Sequence, residues 1–418
     1  MIKIRKEEKI MNDLLIRRAR LIDASTTVDI AIKDGYIVVS GEGVAGSARQ
    51  MVDAAGRLVI PSFVDAHTHL DKVFITTPEE GINNFQEAIE VFNRRFKETK
   101  KETLIERGRR LLRMALSHGT KAMRTHITID ETIALRGVEA ALELKEEFAG
   151  KVDLQVIAMP SSMAPKPSFR LKEIMEEALR MKVDGIGGFF NFSGDGIETW
   201  LDYIFEIATG SGVCVDIHIH ESGPSSVRCL NYLTLKTLQS DYQGKVVASH
   251  CRGLASVDED KAKQTIDIIK EADVSIIIMP SKYLYLMKQD SDLTSLGTSR
   301  IRELEAAGIN IAYASGNIRD AYRPFGNADM LEEALLTAQI LQMGTQAELK
   351  NILKMGTYNA AQAIGLDNYG TSSGDKADLV ILNTNVPAEA IISQVEKVSV
   401  IRNGRVAVRN DKRTDIII

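Results

Sequence analysis

The chain has 418 residues, is 44% hydrophobic and carries only 9 Pro, enough to bury one barrel-sized core with a smaller appendage. A net charge of −5 without long Lys/Arg runs argues against a nucleic-acid surface and points to a small-molecule partner. No apolar stretch reaches the ~18 residues that span a bilayer, and Cys214, Cys229 and Cys251 lack C-x-x-C spacing, so a reducing cytoplasm without a membrane is expected.

In chain order, MIKIRKEEKI is charged and lacks the apolar core of a secretory leader, and Met11 is a second candidate start. Residues 14–60 then read as short strands with Gly turns (LLIRRARLID, VDIAIKDGYIV, MVDAAGRLVI). Next, β-type runs at 58–66, 121–127, 153–159, 183–190, 213–219, 245–249, 274–279 and 309–315 alternate with amphipathic segments such as 103–119, 132–150 and 258–273. Gly119, Gly150 and Gly308 stand where helices should stop. Eight strand–helix alternations in about 260 residues predict a (β/α)8 barrel, assigned to 61–365. An open doubly wound sheet would want a Gly-rich turn after its first strand, and IPSFVDAHTH has none. A helical tail, 328–365, leads to a second strand-like region at 377–409 (ADLVILN, VSVIRNGRVAVR). The two chain ends, 1–60 and 366–418, are therefore expected to form one small β-sandwich-like domain.

Six of the seven histidines end β-type runs: His67 and His69, His126, His218 and His220, and His250. Random placement at this composition gives about 0.1 His-x-His pairs, and the chain has two. On an extended segment residues i and i+2 share a side, so His67 and His69 can face the barrel axis together and bind one ion. His218 would add a third nitrogen from across the barrel, and three neutral imidazoles leave an open position for water, as hydrolytic metal sites require. Glu221, three residues past His218, is placed to carry protons to a leaving nitrogen, and His250 to orient or polarise the water. Lys72 is a candidate contact for an anionic or carbonyl group of a substrate.

PSFVDAHTHLDK, RTHITID, DIHIHESG, VASHCRG and NIRDAYRPFGNADML resemble the matching segments of the amidohydrolase superfamily, most closely its cytosine deaminase and N-isopropylammelide amidohydrolase branch. GDKADLVILN and IRNGRV are similar to that family's closing β segment, and the likeness runs from about residue 12 to 409. The resemblance implies a metal-dependent hydrolase barrel, one divalent ion (Zn or Fe), hydrolytic deamination of a nitrogen heterocycle such as a cytosine-like pyrimidine or triazine, and a homo-oligomer. It makes His67, His69 and His218 metal ligands, Glu221 the proton-shuttling carboxylate and His250 a catalytic partner. Because VDGIGGFFNF has no Lys past its start, the carboxylated Lys that bridges two metals in binuclear members is not expected. His220 is expected on the substrate side, and His126 as a supporting group.

One position departs from the family. Where it ends the eighth strand with a Ser-Asp-Asn type sequence, whose Asp ligates the metal and accepts a proton, this chain reads ASGNIRD, with Gly316 at the Asp position. Asn317 offers a neutral amide oxygen and no useful base, and Asp320 lies three residues on. Activity is therefore expected to be impaired. Where relatives place a Gln after the third strand, AMPSSM offers Ser161 and Ser162, so the substrate set is Lys72, Ser161, His220 and Asn317. Two alternatives stand beside the deaminase: a catalytically silent small-molecule-binding paralogue and a ring-opening cyclic amide hydrolase.

Overall fold

The strand pattern divides at Ser62. In the computed structural model, which describes residues 11–44, 46–76, 81–82, 84–162, 166–190, 196–219, 224–286, 300–412, 415 and 417, the apolar run 58–66 is not one strand but the end of one sheet and the start of another. Pro61 has no N–H to continue a ladder, and the Ser62 N–H turns instead to the Asp378 carbonyl at 2.9 Å.

Strands β1 (Asn12–Arg20), β2 (Thr27–Lys33), β3 (Tyr36–Gly41), β4 (Ala48–Asp53) and β5 (Leu58–Pro61) precede this break. They join β14 (Leu379–Leu382), β15 (Lys397–Arg402) and β16 (Arg405–Arg409) in a sheet ordered β16-β15-β14-β5-β1-β2-β3, with β4 added on β1. Both chain ends thus share one sheet, whose own core includes Leu14, Ile30, Val59 and Leu379.

Eight parallel strands make the barrel: β6 (Phe63–Thr68), β7 (Thr120–Ile129), β8 (Asp153–Ser162), β9 (Gly185–Phe190), β10 (Cys214–Ile219), β11 (Val246–His250), β12 (Ser275–Ile278) and β13 (Ile311–Tyr313). Their order in the sheet is their order in the chain, and they fall on the predicted runs to within a few residues apart from the break at Ser62. The barrel closes between first and last strands. Asp65 on β6 accepts from the Ser315 hydroxyl (2.5 Å) and N–H (3.1 Å), and the Gly316 N–H donates to the His67 carbonyl (2.9 Å).

The helices between strands bury one stripe each. In Glu259–Glu271, Asp258 caps the N-terminus by accepting from the Lys261 N–H, and Ala262, Thr265, Ile266 and Ile269 form the buried i, i+3, i+4, i+7 face. The helical tail is Met330–Ile340, Gln346–Met355 and Tyr358–Ala363. One buried ion pair ties the barrel to the terminal sheet: Asp378, just before β14, holds Lys121 of β7 at 2.8 Å, and it also holds Arg402 of β15, within the terminal sheet, at 2.6 Å. Among the described residues no helix is long and apolar enough to cross a membrane.

Candidate active site

Strand alternation delivers the site. Positions i and i+2 put Asp65 and His67 on one side of β6, Arg124, His126 and Thr128 on one side of β7, and Asp216 and His218 on one side of β10, all buried. Their rings meet inside the barrel. His67 stacks on His126 with centroids 4.0 Å apart and lies 4.5 Å from His218, while His69 Nε2 is 3.4 Å from His218 Nε2.

The surrounding bonds set the tautomers. His67 Nδ1 is 3.0 Å from Ser249 Oγ, and that hydroxyl donates to Asp216 at 3.1 Å, so Nδ1 is the donor and Nε2 keeps its lone pair. His69 Nδ1 lies 2.9 Å from the His126 carbonyl oxygen; donating there leaves Nε2 as an acceptor, and Lys72 Nζ, 2.9 Å from the same Nδ1, then donates to Thr128 Oγ1 (3.2 Å) rather than to the ring. Burial holds His67, His69 and His218 well below the usual histidine pKa, and neighbouring imidazoles push the same way. These three imidazoles are therefore neutral. Burial raises the Asp216 carboxyl, but His126 (3.1 Å) and Arg124 (3.0 Å) outweigh it and the net shift is downward, which keeps an anion behind the histidines.

This donor set fits a divalent ion. Two lone-pair nitrogens at 3.4 Å repel unless a cation or proton lies between them. Imidazoles bound ~2.0–2.1 Å from one tetrahedral ion would place their nitrogens about 3.3–3.4 Å apart. Among the described residues His67 Nε2 is buried without a hydrogen-bond partner, and ligand atoms of His67, His126 and His218 lie within 4.8 Å of one another. His126 thus sits inside the cluster rather than behind it, while its Nε2 faces Asp216.

His250, ending β11, has φ +77, a left-handed conformation that is uncommon for its type and is held by the surrounding fold. Its Nδ1 is 2.5 Å from the Tyr283 hydroxyl, and its ring is 5.1 Å from that of His218. Above the cluster opens a cleft of about 470 Å³, its mouth included. His69 and His218 form its floor; Phe92, Phe189 and Tyr322 supply ring faces; Lys72, Thr128, Ser161, Lys282 and Asn317 supply polar groups. The structure brings Lys72, Ser161 and Asn317 together on this cleft. His220 and Glu221 lie outside the described residues.

Gly316 is beside the cluster through its bond to the His67 carbonyl, with φ +62. A Cβ there would stand 3.0 Å from Met279 Cγ and 3.1 Å from its Sδ, so the thioether lies where a side chain would start. Asn317 is committed to Asp320, donating through Nδ2 at 2.5 Å. Asp320 also accepts from the Tyr322 and Arg323 N–H groups, so it is a loop-organising carboxylate rather than a replacement base. On β9, a Cβ at Gly187 would meet the Asp216 carbonyl oxygen at 2.7 Å, which bars a side chain from that point of the fourth barrel strand.

Three participants escaped the sequence reading. Asp216 was accessible there, because VCVDIHIH puts it two residues before His218 on the same side. Lys282 and Tyr283 follow β12 with no periodic signal, and only the fold turns them inward.

The Amidohydrolase family pattern matches residues 50–115 and 109–408. The chain belongs to the amidohydrolase family. As an amidohydrolase it is an enzyme hydrolysing carbon–nitrogen bonds other than peptide bonds, and its place in the branch noted from sequence is supported by its relatives. It is 34% identical to the N-isopropylammelide isopropyl amidohydrolase of Pseudomonas sp. (strain ADP) over 412 residues, covering 96% of this chain and 98% of that protein. It is 28% identical to a pterin deaminase of Rhizobium rhizogenes, covering 91% and 88%. The crystal structure of 5-methylcytosine deaminase from Klebsiella pneumoniae liganded with 5-fluorocytosine superposes with a TM-score of 0.89 at 27% identity, covering 96% and 99%.

Proposed function

We propose that this amidohydrolase removes an amino or alkylamino group from a small nitrogen heterocycle of the pyrimidine or triazine type, using one divalent ion, zinc or iron. The observation that carries the reading is the buried, neutral histidine cluster at the floor of an aromatic-walled cleft, with His69 and His218 nitrogens 3.4 Å apart. His67, His69 and His218 are the proposed ligands, with Ser249 and Asp216 fixing the His67 ring behind them. The bound ion supplies Lewis acidity toward water and toward the ring carbon under attack.

The protein groups do the rest. Phe92, Phe189 and Tyr322 stack a flat ring and exclude water from it. Lys72 and Ser161 face ring oxygens or nitrogens as hydrogen-bond donors. His250, held at Nδ1 by Tyr283, aims its other nitrogen to stabilise charge on the attacked carbon's oxygen. Glu221 keeps the proton-carrying role that its spacing from His218 suggests, passing a proton to the leaving nitrogen. The Lys282 ammonium in the same cleft favours a ring with carbonyl oxygens over a plain aromatic amine. Gly316 leaves the proton-accepting carboxylate of relatives unmatched, and a reduced rate follows from that. Free cysteines, with Cys229 and Cys251 buried, agree with a reducing compartment, and the family likeness favours a homo-oligomer.

The test is release of ammonia or amine from a panel of aminopyrimidines, alkylaminotriazines and pterins, with metal content measured on the same sample. Turnover that scales with bound zinc or iron is expected. Ring-opened products without ammonia would favour the cyclic amide hydrolase instead, and tight ligand binding without any turnover would favour a silent paralogue.

A further inference from the structure

We propose that Lys282 is an anion receptor in the cleft, and that the preferred ligand is an acidic oxo-heterocycle bound as its ring oxyanion. That the ligand is a heterocycle rests on the proposed function; that it is anionic rests on the charge layout of the cleft.

Lys282 is 4% exposed, on the short helix Pro280–Leu286 that follows β12 at the mouth of the barrel. It lines the cleft together with His69, His218 and Asn317. Among the described residues its ammonium makes no hydrogen bond or ion pair, and its nearest defined contact is the face of Tyr322, 5.5 Å from the ring centre. A buried ammonium without hydrogen-bonded partners is costly, and burial pushes Lys282 down to about 7 despite the attraction of Asp320.

The nearby carboxylates do not relieve it. Both oxygens of Asp320 are taken, Oδ2 by Asn317 and Oδ1 by the Tyr322 and Arg323 N–H groups. Asp71 accepts from the Thr128 N–H at 2.9 Å and sits 3.7 Å from a second buried cation, Lys72. Two ammonium groups therefore line one cleft: Lys72 is ion-paired with Asp71, and among the described residues Lys282 has no carboxylate within hydrogen-bonding reach. A neutral ring gives Lys282 no anionic partner in the cleft, whereas an anion delocalised over two ring carbonyls gives each lysine a charged oxygen and offsets the cost of burial.

The test is calorimetric binding of barbiturate, an anion at neutral pH, and of uracil, its neutral counterpart, to the metal-stripped protein. The wild type should favour barbiturate by about tenfold or more, the size expected for a hydrogen bond to a charged group. Lys282→Met should abolish that preference by weakening barbiturate at least about tenfold more than uracil, and Lys282→Arg should retain most of it. Thermal melts verify that each variant is folded; a Lys282→Met protein that fails to fold leaves the wild-type comparison and Lys282→Arg to decide. No wild-type preference, or a preference that survives Lys282→Met, would overturn the proposal. Anion preference without ammonia release would sink the deaminase reading alone, and ammonia release without anion preference would sink this one alone.

Discussion

Gly316→Asp restores the one carboxylate that the family resemblance leaves unmatched, and its cost can be worked from the structure. The residue has φ +62, a region that Asp tolerates better than most L residues, with a penalty of about 1–2 kcal/mol. The new Cβ meets Met279 Cγ at 3.0 Å and Sδ at 3.1 Å. Both atoms belong to a flexible thioether with three rotatable bonds, so a shift of a few tenths of an ångström clears them at small further cost. Backbone bonds from Ser315 to Asp65 and from Gly316 to His67 do not involve the substituted side chain. The melting temperature should therefore fall by no more than a few degrees.

Against that small loss, a positioned base returns about 10²–10⁴-fold in rate, and a completed shell about 10–100-fold in metal affinity. The assay pairs steady-state ammonia release with the metal retained after dialysis, measured for wild type, Gly316→Asp and Gly316→Asn. Asparagine has the same shape and the same backbone strain but cannot accept the proton, so it separates chemistry from space. Equal rates and equal metal retention in the Asp and Asn variants would refute the assignment of position 316. Met279→Ala should cost less stability in the Asp variant than in the wild type if the thioether contact is what strains it.

Tyr283→Phe removes the hydroxyl 2.5 Å from His250 Nδ1 and should lower kcat about tenfold or more while KM and the melting temperature move little; a KM effect alone would deny the positioning role. Asp378→Asn breaks the buried pairs with Lys121 and Arg402 and should cost about 3–5 kcal/mol at neutral pH. Burial raises that carboxyl but Arg402 and Lys121 bring it below its ordinary 3.8, so its stabilisation is complete above pH 3.8 and declines as pH falls through the lower folded-state value. Melts of wild type and variant should accordingly converge only in acid, and convergence near pH 6 would contradict the ion-pair account.

Most of the barrel was legible because its strands are buried on both faces and read as continuous apolar runs between amphipathic helices. The same property hid the break at Ser62, since β5 and β6 are equally apolar and only the pairing partners of β5 show that it belongs to the terminal sheet. Histidines ending strands were readable, as period 2 fixes their side; so was Asp216, two residues before His218 on the same side of its strand. Lys282, Tyr283 and Met279 were not, because they follow β12 without alternation or helical spacing, and their inward direction is decided by how the helix Pro280–Leu286 seats on the barrel. His126 was ambiguous for another reason. Its position on β7 fixes which way it faces, but its 4.0 Å stacking on His67 depends on the register between the neighbouring strands β6 and β7, which shifts between Asp65 and Thr68.

Gly316 and Lys282 bear on one quantity, the charge of the cleft. An aspartate at 316 would place a negative charge beside His67, in a buried site where screening is weak. With glycine there, the two lysines face a neutral histidine cluster, and a bound divalent ion would make the cleft more cationic still. An anionic ligand offsets that excess and a neutral one does not. The glycine and Lys282 are therefore mutually consistent: each shifts binding toward oxyanions, and the glycine is tolerated because barrel closure runs through Asp65 and Ser315 instead. Introducing Asp at 316 should thus improve turnover while weakening barbiturate relative to uracil, so that catalytic gain and loss of anion preference appear in the same variant. If anion preference were instead unaffected by Gly316→Asp in the metal-loaded protein, the two sites would be electrostatically independent and the substrate charge would be set by Lys72 and Lys282 alone.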